Sequence, residues 1–296
     1  MNQFLSVKKQ DSMYSEKVRP PAHAGFFYPE LREELKNTID KLLKGAVVPE
    51  IKAKVLGLVL PHAGYAYSGQ VAAFGIKNLS KEKIDTIIII GDSHYEYFDG
   101  VSIYNRGEWL TPLGKVKIDE DLAQKISSES KRFFFKSSAH IQEHSIEVQL
   151  PFLQKVLKDF KIVPIIFGSE DKDWQELGKA ILKHLSKKRI LIIASSDLSH
   201  YPCWEDAEKA DKKTIKGILS CEPKKLDKTL REMEKENIPN IQTFLCAEDS
   251  IKTLLYIMKN LGSKASLLKY ANSGDTAGEK DKVVGYAAIE FLDIKN

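Results

Sequence analysis

Three short apolar runs restrict this chain to one class of fold. VLGLVL (55–60), IDTIIII (84–90) and RILIIA (189–194) are rich in Ile, Leu and Val, and each is followed by a helical pattern. Such runs read as strands of a parallel sheet buried on both faces, because a strand with one face in water alternates polar and apolar residues. Each run also ends in a polar segment carrying histidine: Pro61-His62-Ala63-Gly64-Tyr65, Gly91-Asp92-Ser93-His94-Tyr95 and Ser195-Ser196-Asp197-Leu198-Ser199-His200-Tyr201. The carboxyl ends of parallel strands gather at one edge, and open α/β sheets bind ligands there. One assembled polar site is therefore expected, with a metal ion as its expected occupant.

Composition narrows the setting. At 296 residues, a single α/β domain with a sizeable core is the default. The 45 basic and 41 acidic residues leave a net charge of +4 without a dense basic block, which gives little support for binding nucleic acid or a membrane surface. Cys203, Cys221 and Cys246 are too few and too irregularly placed for a disulfide framework and form no CxxC pair, so a reducing compartment fits. The N-terminal MNQFLSVKKQDSMYSEK lacks a signal-peptide core, and no stretch approaches the roughly 18 apolar residues that span a bilayer. A soluble, cytoplasmic protein is the expectation. GxSxG, Walker A and GxGxxG motifs are absent, which argues against serine-hydrolase, P-loop and dinucleotide chemistry.

Residues 1–18 are polar and aperiodic and read as a flexible leader ahead of a domain spanning 19–296. Glu30 to Leu43 carries Leu31, Leu35, Ile39 and Leu42 at helical spacing. Ser68 is a candidate cap for a helix reaching Leu79. Residues 101–119 read as strands separated by Gly107 and by Pro112 to Gly114, with a hairpin near the site. A helical pattern from Ser145 to Phe160 contains Pro151, so either that helix kinks or its regular part starts at Pro151; the second reading is preferred. Further helices are expected at 120–128, 174–185, through 235, and 246–261, with strands at 161–167, 266–270 and 283–292.

Each candidate for chemistry has a plainer alternative. A lone loop histidine is more often a hydrogen-bonding partner than a ligand, but His62 and His94 at one edge bring metal ligation level with that alternative. Asp197 and His200 would share a face if a helix began near Ser196; in the simpler reading Ser196 or Asp197 caps the next helix. His140 and His144 stand at i, i+4 without HExxH, so His144 reads better as a hydrogen-bond donor lining the pocket. His184, in a lysine-rich helix end, reads as a surface residue that complements the helix dipole. Cys246 opens an apolar helix whose positive end would lower its pKa toward thiolate, while a buried structural cysteine is the plainer reading.

Several segments, taken together, resemble the Memo family, whose prokaryotic members are called AmmeMemoRadiSam system protein B. They are Arg19-Pro20-Pro21-Ala22-His23-Ala24-Gly25-Phe26-Phe27-Tyr28-Pro29, the PHAGY stretch with Tyr67-Ser68-Gly69, Gly91-Asp92-Ser93-His94, Glu143-His144-Ser145-Ile146-Glu147 with Leu150-Pro151-Phe152, the segment from Ser195 to Tyr201, and Gly285-Tyr286. They run in consistent order from residue 19 to about 292. The resemblance implies a class III extradiol dioxygenase (LigB-like) fold, an α/β sandwich with a central, mostly parallel sheet flanked by helices and a non-heme iron at a sheet edge. It implies His62, His94 and Cys246 as metal ligands, Asp197 and His200 close by, and His144 lining the pocket. The family usually has glycine after the ligand cysteine, where this chain has Ala247. A thiolate in the set suits iron or copper, with divalent iron favoured and zinc as a further candidate.

Two classes of function follow from that resemblance. The first is a dioxygenase-like, metal-dependent oxidoreductase of unknown small substrate, with His200 as general acid/base and Asp197 orienting a ligand or water. The second is a non-catalytic binding or adaptor protein using the same pocket, because eukaryotic members are linked to receptor signalling and to phosphotyrosine peptides. Metal handling without turnover is a third. The family's prokaryotic name implies companions, an AMMECR1-like protein and a radical SAM protein.

Overall fold

The computed structural model describes residues 17–49, 53–168, 173–185, 188–276 and 278–294. Most of the expected leader lies outside the described residues, and its last residue, Val18, opens the first strand. The strands are β1 (Val18–Arg19), β2 (Val55–Leu60), β3 (Thr86–Asp92), β4 (Val101–Ile103), β5 (Glu108–Thr111), β6 (Gly114–Ile118), β7 (Phe133–Phe134), β8 (Lys161–Phe167), β9 (Ile190–Ser195), β10 (Lys264–Asn272) and β11 (Gly285–Leu292). They form one mixed sheet in the order β1-β5-β6-β8-β3-β9-β2-β11-β10, with β4 joined to β8 and carrying β7.

The three apolar runs and β8 make the parallel centre, β8-β3-β9-β2. Ile87 to Ile90 and Leu191 to Ala194 are at most 1% exposed, which is why these strands show no alternation. The registers Asp92↔Phe167, Ile90↔Ala194 and Leu60↔Ser195 bring the carboxyl ends level. Strands β2 and β3 follow one another in the chain but are not neighbours, because β9 lies between them. At one flank β11 and β10 are antiparallel, and at the other β5 and β6 form the expected hairpin.

Helices cover both faces of this single domain. Successive strand residues point to opposite sides. In β2, Gly57 leaves room for Met258 and Leu254 of helix Glu248–Leu261, while Leu58 and Leu60 approach Gly75 of helix Tyr65–Lys77. Helix Arg32–Gly45 buries Leu35, Ile39 and Leu43, the stripe its periodicity requires. Among the described residues no helix is long and apolar enough to cross a membrane.

Local chemistry shifts several boundaries. Ser68 is not a cap: its helix starts at Tyr65 behind Gly64, and the Ser68 hydroxyl donates back to the Ala63 carbonyl at 2.9 Å. The pattern around Pro151 splits into His144–Glu147 and Leu150–Val156, with Pro151 in the first turn of the second, where a missing N–H leaves nothing unpaired. No helix begins at Ser196. His200 instead bridges Thr243 and Val284, and the next helix, Trp204–Leu219, is preceded by Cys203, so neither Ser196 nor Asp197 caps it. Cys246 stands two residues ahead of helix Glu248–Leu261 rather than within it.

Candidate metal centre

Strand β2 runs through Pro61 into His62, which is 2% exposed. Asp197, just past β9, accepts the His62 amide on Oδ1 at 2.8 Å, so two neighbouring strand ends are tied together. Ser195 fixes the His62 ring. The Ser195 hydroxyl gives its one hydrogen to the Ser145 carbonyl at 2.6 Å, so it can only accept from His62 Nδ1, 3.2 Å away. The network thus assigns the ring proton to Nδ1 and leaves a lone pair on Nε2. That atom lies 3.2 Å from Cys246 Sγ.

His94, two residues beyond β3, is set the same way by a different group. The buried Glu143 carboxylate accepts the His94 amide on Oε2 at 2.8 Å and His94 Nδ1 on Oε1 at 2.9 Å. A carboxylate only accepts, so His94 also carries a proton on Nδ1, and Nε2 is the ring nitrogen left to bind an ion once it has no proton. Helix His144–Glu147 can lie against the end of β3 because residue 91 is glycine; a Cβ there would collide with Ser145. This helix delivers His144, whose ring centroid is 4.5 Å from that of His94 and 5.1 Å from that of His62. Ligand atoms of the three histidines all lie within 4.8 Å of one another. His144 Nδ1 stands 3.4 Å from Glu143 Oε1 without hydrogen-bond geometry and is buried without a hydrogen-bond partner among the described residues.

Cys246 closes the group. The Asp197 amide donates to Sγ at 3.1 Å, Ser196 Oγ lies 3.6 Å from the sulfur, and the Cys246 amide donates to the Asp197 carbonyl at 3.3 Å. His200 is held by its amide, which donates to the Thr243 carbonyl at 3.0 Å, while its ring Nε2 is buried without a partner among the described residues. His62, His94, His144, Cys246 and Asp197 are thus brought together, with His200 close enough for its charge to weigh on His62. His140 is elsewhere, fully buried against Tyr104 and Trp109 with Nε2 2.9 Å from Ser102 Oγ. His184 ends its helix and pairs with Glu129, and Cys203 and Cys221 are free thiols.

Burial is the largest influence on these ionisable groups. It holds His62 well below the usual histidine range and takes His144 and His200 down to about 4, with His94 repelling all three cations. Burial also raises the Cys246 thiol, outweighing the His94 hydrogen bond, so the lowering expected from a helix end does not prevail. His94 goes the other way. Burial disfavours its cation, but hydrogen bonds to Cys246 and Glu143 outweigh that and push it up to about 11. Burial lifts Asp197 to about 7 against the opposing hydrogen bonds from the His62 and Ala63 amides.

Sequence reasoning missed Glu143, Ser195 and His23 as site residues. Glu143 lies in the quoted EHSIE stretch, but a charged residue before a helix reads as surface until the fold buries it. His23, Phe27 and Tyr95 close in on His144, with ring centroids 5.6, 4.8 and 5.8 Å from it. The segment that carries His23 and Phe27 is anchored by Glu147, which accepts the Ala22 and His23 amides at 2.9 Å each, takes the Tyr28 hydroxyl, and pairs with Arg19. Cys246 also lines a cavity of about 410 Å3 with Asp92, Thr243, Phe244 and Glu248. A larger concavity of about 590 Å3, beside Lys115 and Lys161, contains none of these groups, so donor chemistry rather than size locates the site.

A profile of Memo-like proteins matches residues 19–290. A MEMO1 family protein of Thermoplasma acidophilum is 37% identical over 275 residues, covering 92% of this chain and 97% of that protein. One from Methanosarcina mazei is 41% identical over 277 residues, covering 92% of this chain and 98% of that protein. An uncharacterized protein of Escherichia coli K12 has a solved structure that matches with a TM-score of 0.53 at 11% identity, over 80% of this chain and 99% of that one, a likeness of fold alone. By its profile match and by relatives that align along nearly its whole length, this chain belongs to the Memo family.

Proposed function

We propose that this chain binds one metal ion through His62 Nε2, His94 Nε2 and the Cys246 thiolate, and acts with it as an oxidoreductase on a small substrate. The observation that carries this reading is the shared tautomer. Ser195 holds His62 Nδ1 and Glu143 holds His94 Nδ1, so the two Nε2 atoms are the ring nitrogens left for an ion beside a half-buried sulfur, that of His94 once the ion displaces its proton. The unpartnered buried nitrogens of His144 and His200 fit a site that takes a further ligand. Two imidazoles and a thiolate suit iron or copper, with divalent iron favoured by the fold family and zinc also accommodated. A bound redox ion would supply electron transfer and Lewis acidity.

The chain's own residues divide the remaining work. Glu143 and Ser195 orient the imidazoles, and Asp197 acts through the His62 amide and the Cys246 sulfur. His200 Nε2 is the proposed carrier of a proton to or from a bound molecule, and its pKa near 4 keeps it a base at neutral pH. His144 is the third imidazole of the cluster and a wall of the pocket. Elemental analysis of tag-free protein purified without oxygen tests the reading. Near-stoichiometric iron or copper, abolished in His62→Ala and Cys246→Ala, is the expected result; no metal after reconstitution would sink it.

Exposed aromatic residues favour a second reading, a binding or adaptor module. Tyr95 is 53% exposed beside His23 and His144, and Tyr201 is 40% exposed beside His200, a rim suited to a peptide or partner protein. An AMMECR1-like protein and a radical SAM protein would be its prokaryotic companions. Metal-loaded protein that binds such a companion yet consumes no oxygen with any small substrate would favour this reading.

A further inference from the structure

We propose that Asp92 is a positioning residue that sets the spacing between His94 and Cys246, an inference that rests on the ligand assignment above. Cys246 is held from two strand ends. From the end of β9, the Asp197 amide donates to Sγ, the Asp197 carbonyl accepts the Cys246 amide, and Ser196 Oγ accepts the Ala247 amide at 3.1 Å. Asp197 also accepts the His62 amide, so these bonds place Cys246 relative to His62. None of them reaches β3, the strand that carries His94.

Asp92, the last residue of β3, makes that link. Its main chain is locked in the sheet opposite Phe167, and the next amide, Ser93, donates to the Phe167 carbonyl at 2.8 Å. Its carboxylate crosses to the start of helix Glu248–Leu261. Oδ1 accepts the Ser250 hydroxyl at 2.5 Å and the Ser250 amide at 3.3 Å, and Oδ2 accepts the Asp249 amide at 3.4 Å. The residue ahead of this helix is Ala247, which has no side-chain acceptor, so a carboxylate from another strand supplies the cap. His94 lies two residues beyond Asp92, and Cys246 lies three before Asp249. One side chain therefore joins the backbone that carries the imidazole to the helical turn that follows the thiol. Without it, Cys246 pivots about its β9 bonds, keeping its distance to His62 and losing its distance to His94.

The test compares cobalt(II) titrations of wild type, Asp92→Ala, Asp92→Asn and Ser250→Ala, reading the near-ultraviolet thiolate-to-cobalt band, together with iodoacetamide alkylation of Cys246 in metal-free protein. Asp92→Ala is expected to weaken cobalt binding about tenfold or more and to diminish or shift the band, as loss of a group supporting a ligand does. It should also speed Cys246 alkylation. Asp92→Asn keeps an acceptor for Ser250 but turns an NH2 toward the Asp249 amide, so it should recover part of both readouts relative to Asp92→Ala, and Ser250→Ala should reproduce part of the loss. A folded Asp92→Ala protein with wild-type band, affinity and alkylation rate would overturn the proposal. If Asp92→Ala does not fold, Ser250→Ala decides, and wild-type behaviour there overturns it. A wild type without the thiolate band would sink the ligand assignment instead, and alkylation alone would then decide whether Asp92 positions the thiol.

Discussion

Asp197 Oδ1 lies 2.8 Å from the His62 amide nitrogen, and the amide of the same aspartate donates to Cys246 Sγ at 3.1 Å. One buried residue thereby holds the main chain of one candidate ligand and the sulfur of another. Asp197→Ala is expected to lower metal affinity by roughly 10- to 100-fold and to destabilise the fold by about 1–3 kcal/mol, because it leaves the buried His62 amide unpaired. Asp197→Asn keeps an acceptor and should lose much less. Calorimetric metal titration and urea unfolding check both, and wild-type affinity in the alanine variant would contradict the assignment.

Glu143 faces three donors with two oxygens: the His94 amide, His94 Nδ1 and the Ser145 amide. Glu143→Gln replaces one acceptor with an NH2 group that meets another N–H, so the His94 ring should turn and its tautomer equilibrate. Metal affinity is expected to fall about 10- to 100-fold with little change in the melting curve. The nitrogen hyperfine pattern of the copper(II)-loaded protein would show the altered His94.

The Arg19–Glu147 ion pair is buried on both sides, and the Arg19 guanidinium also lies 4.1 Å from the Trp109 ring and donates to the His140, Ile141 and Glu143 carbonyls. Arg19→Ala would leave the Glu147 carboxylate buried without its cation, a loss of about 3–5 kcal/mol. Denaturant unfolding of wild type, each single variant and Arg19→Met/Glu147→Leu checks this. The double variant should recover part of the loss, since it removes the stranded charge.

Asp211 should contribute a loss of stability as pH rises through about 6, opposite in sign to the buried histidines. Burial raises the Asp211 carboxyl to about 6, against hydrogen bonds from the Ser199 amide and the Tyr270 hydroxyl. The folded pKa exceeds the unfolded one, so the folded state holds the proton more tightly. Its stabilising contribution is full below about pH 4 and lost as pH rises through 6, and two units correspond to at most about 3 kcal/mol. Asp211→Asn cannot titrate, so its melting temperature relative to wild type should rise between pH 4 and pH 7 by the share that Asp211 loses. An unchanged slope would show that other groups carry it.

Strands were legible where burial on both faces left a continuous apolar run, as in Ile87 to Ile90, because composition alone then reports the environment. Ser196 and Asp197 match a helix-cap pattern, yet no helix starts there and the next one begins at Trp204. Asp197 spends its carboxylate on His62, 135 positions away, and His200 pairs across to Thr243 and Val284, choices that no local pattern contains. Glu143 was overlooked for the same reason, since its partner His94 is 49 positions earlier.

The sequence by itself determined that the central strands are parallel and buried and that His62, His94 and Asp197 leave their carboxyl ends at one edge, because strand burial and exit are properties of contiguous residues. Only the tertiary structure decided which nitrogen of each imidazole is anchored and which is left for an ion, and how Cys246 stands against both. A tautomer is set by the hydrogen bond made at the other ring nitrogen, and here those partners, Ser195 and Glu143, come from strands and loops brought close by the fold alone.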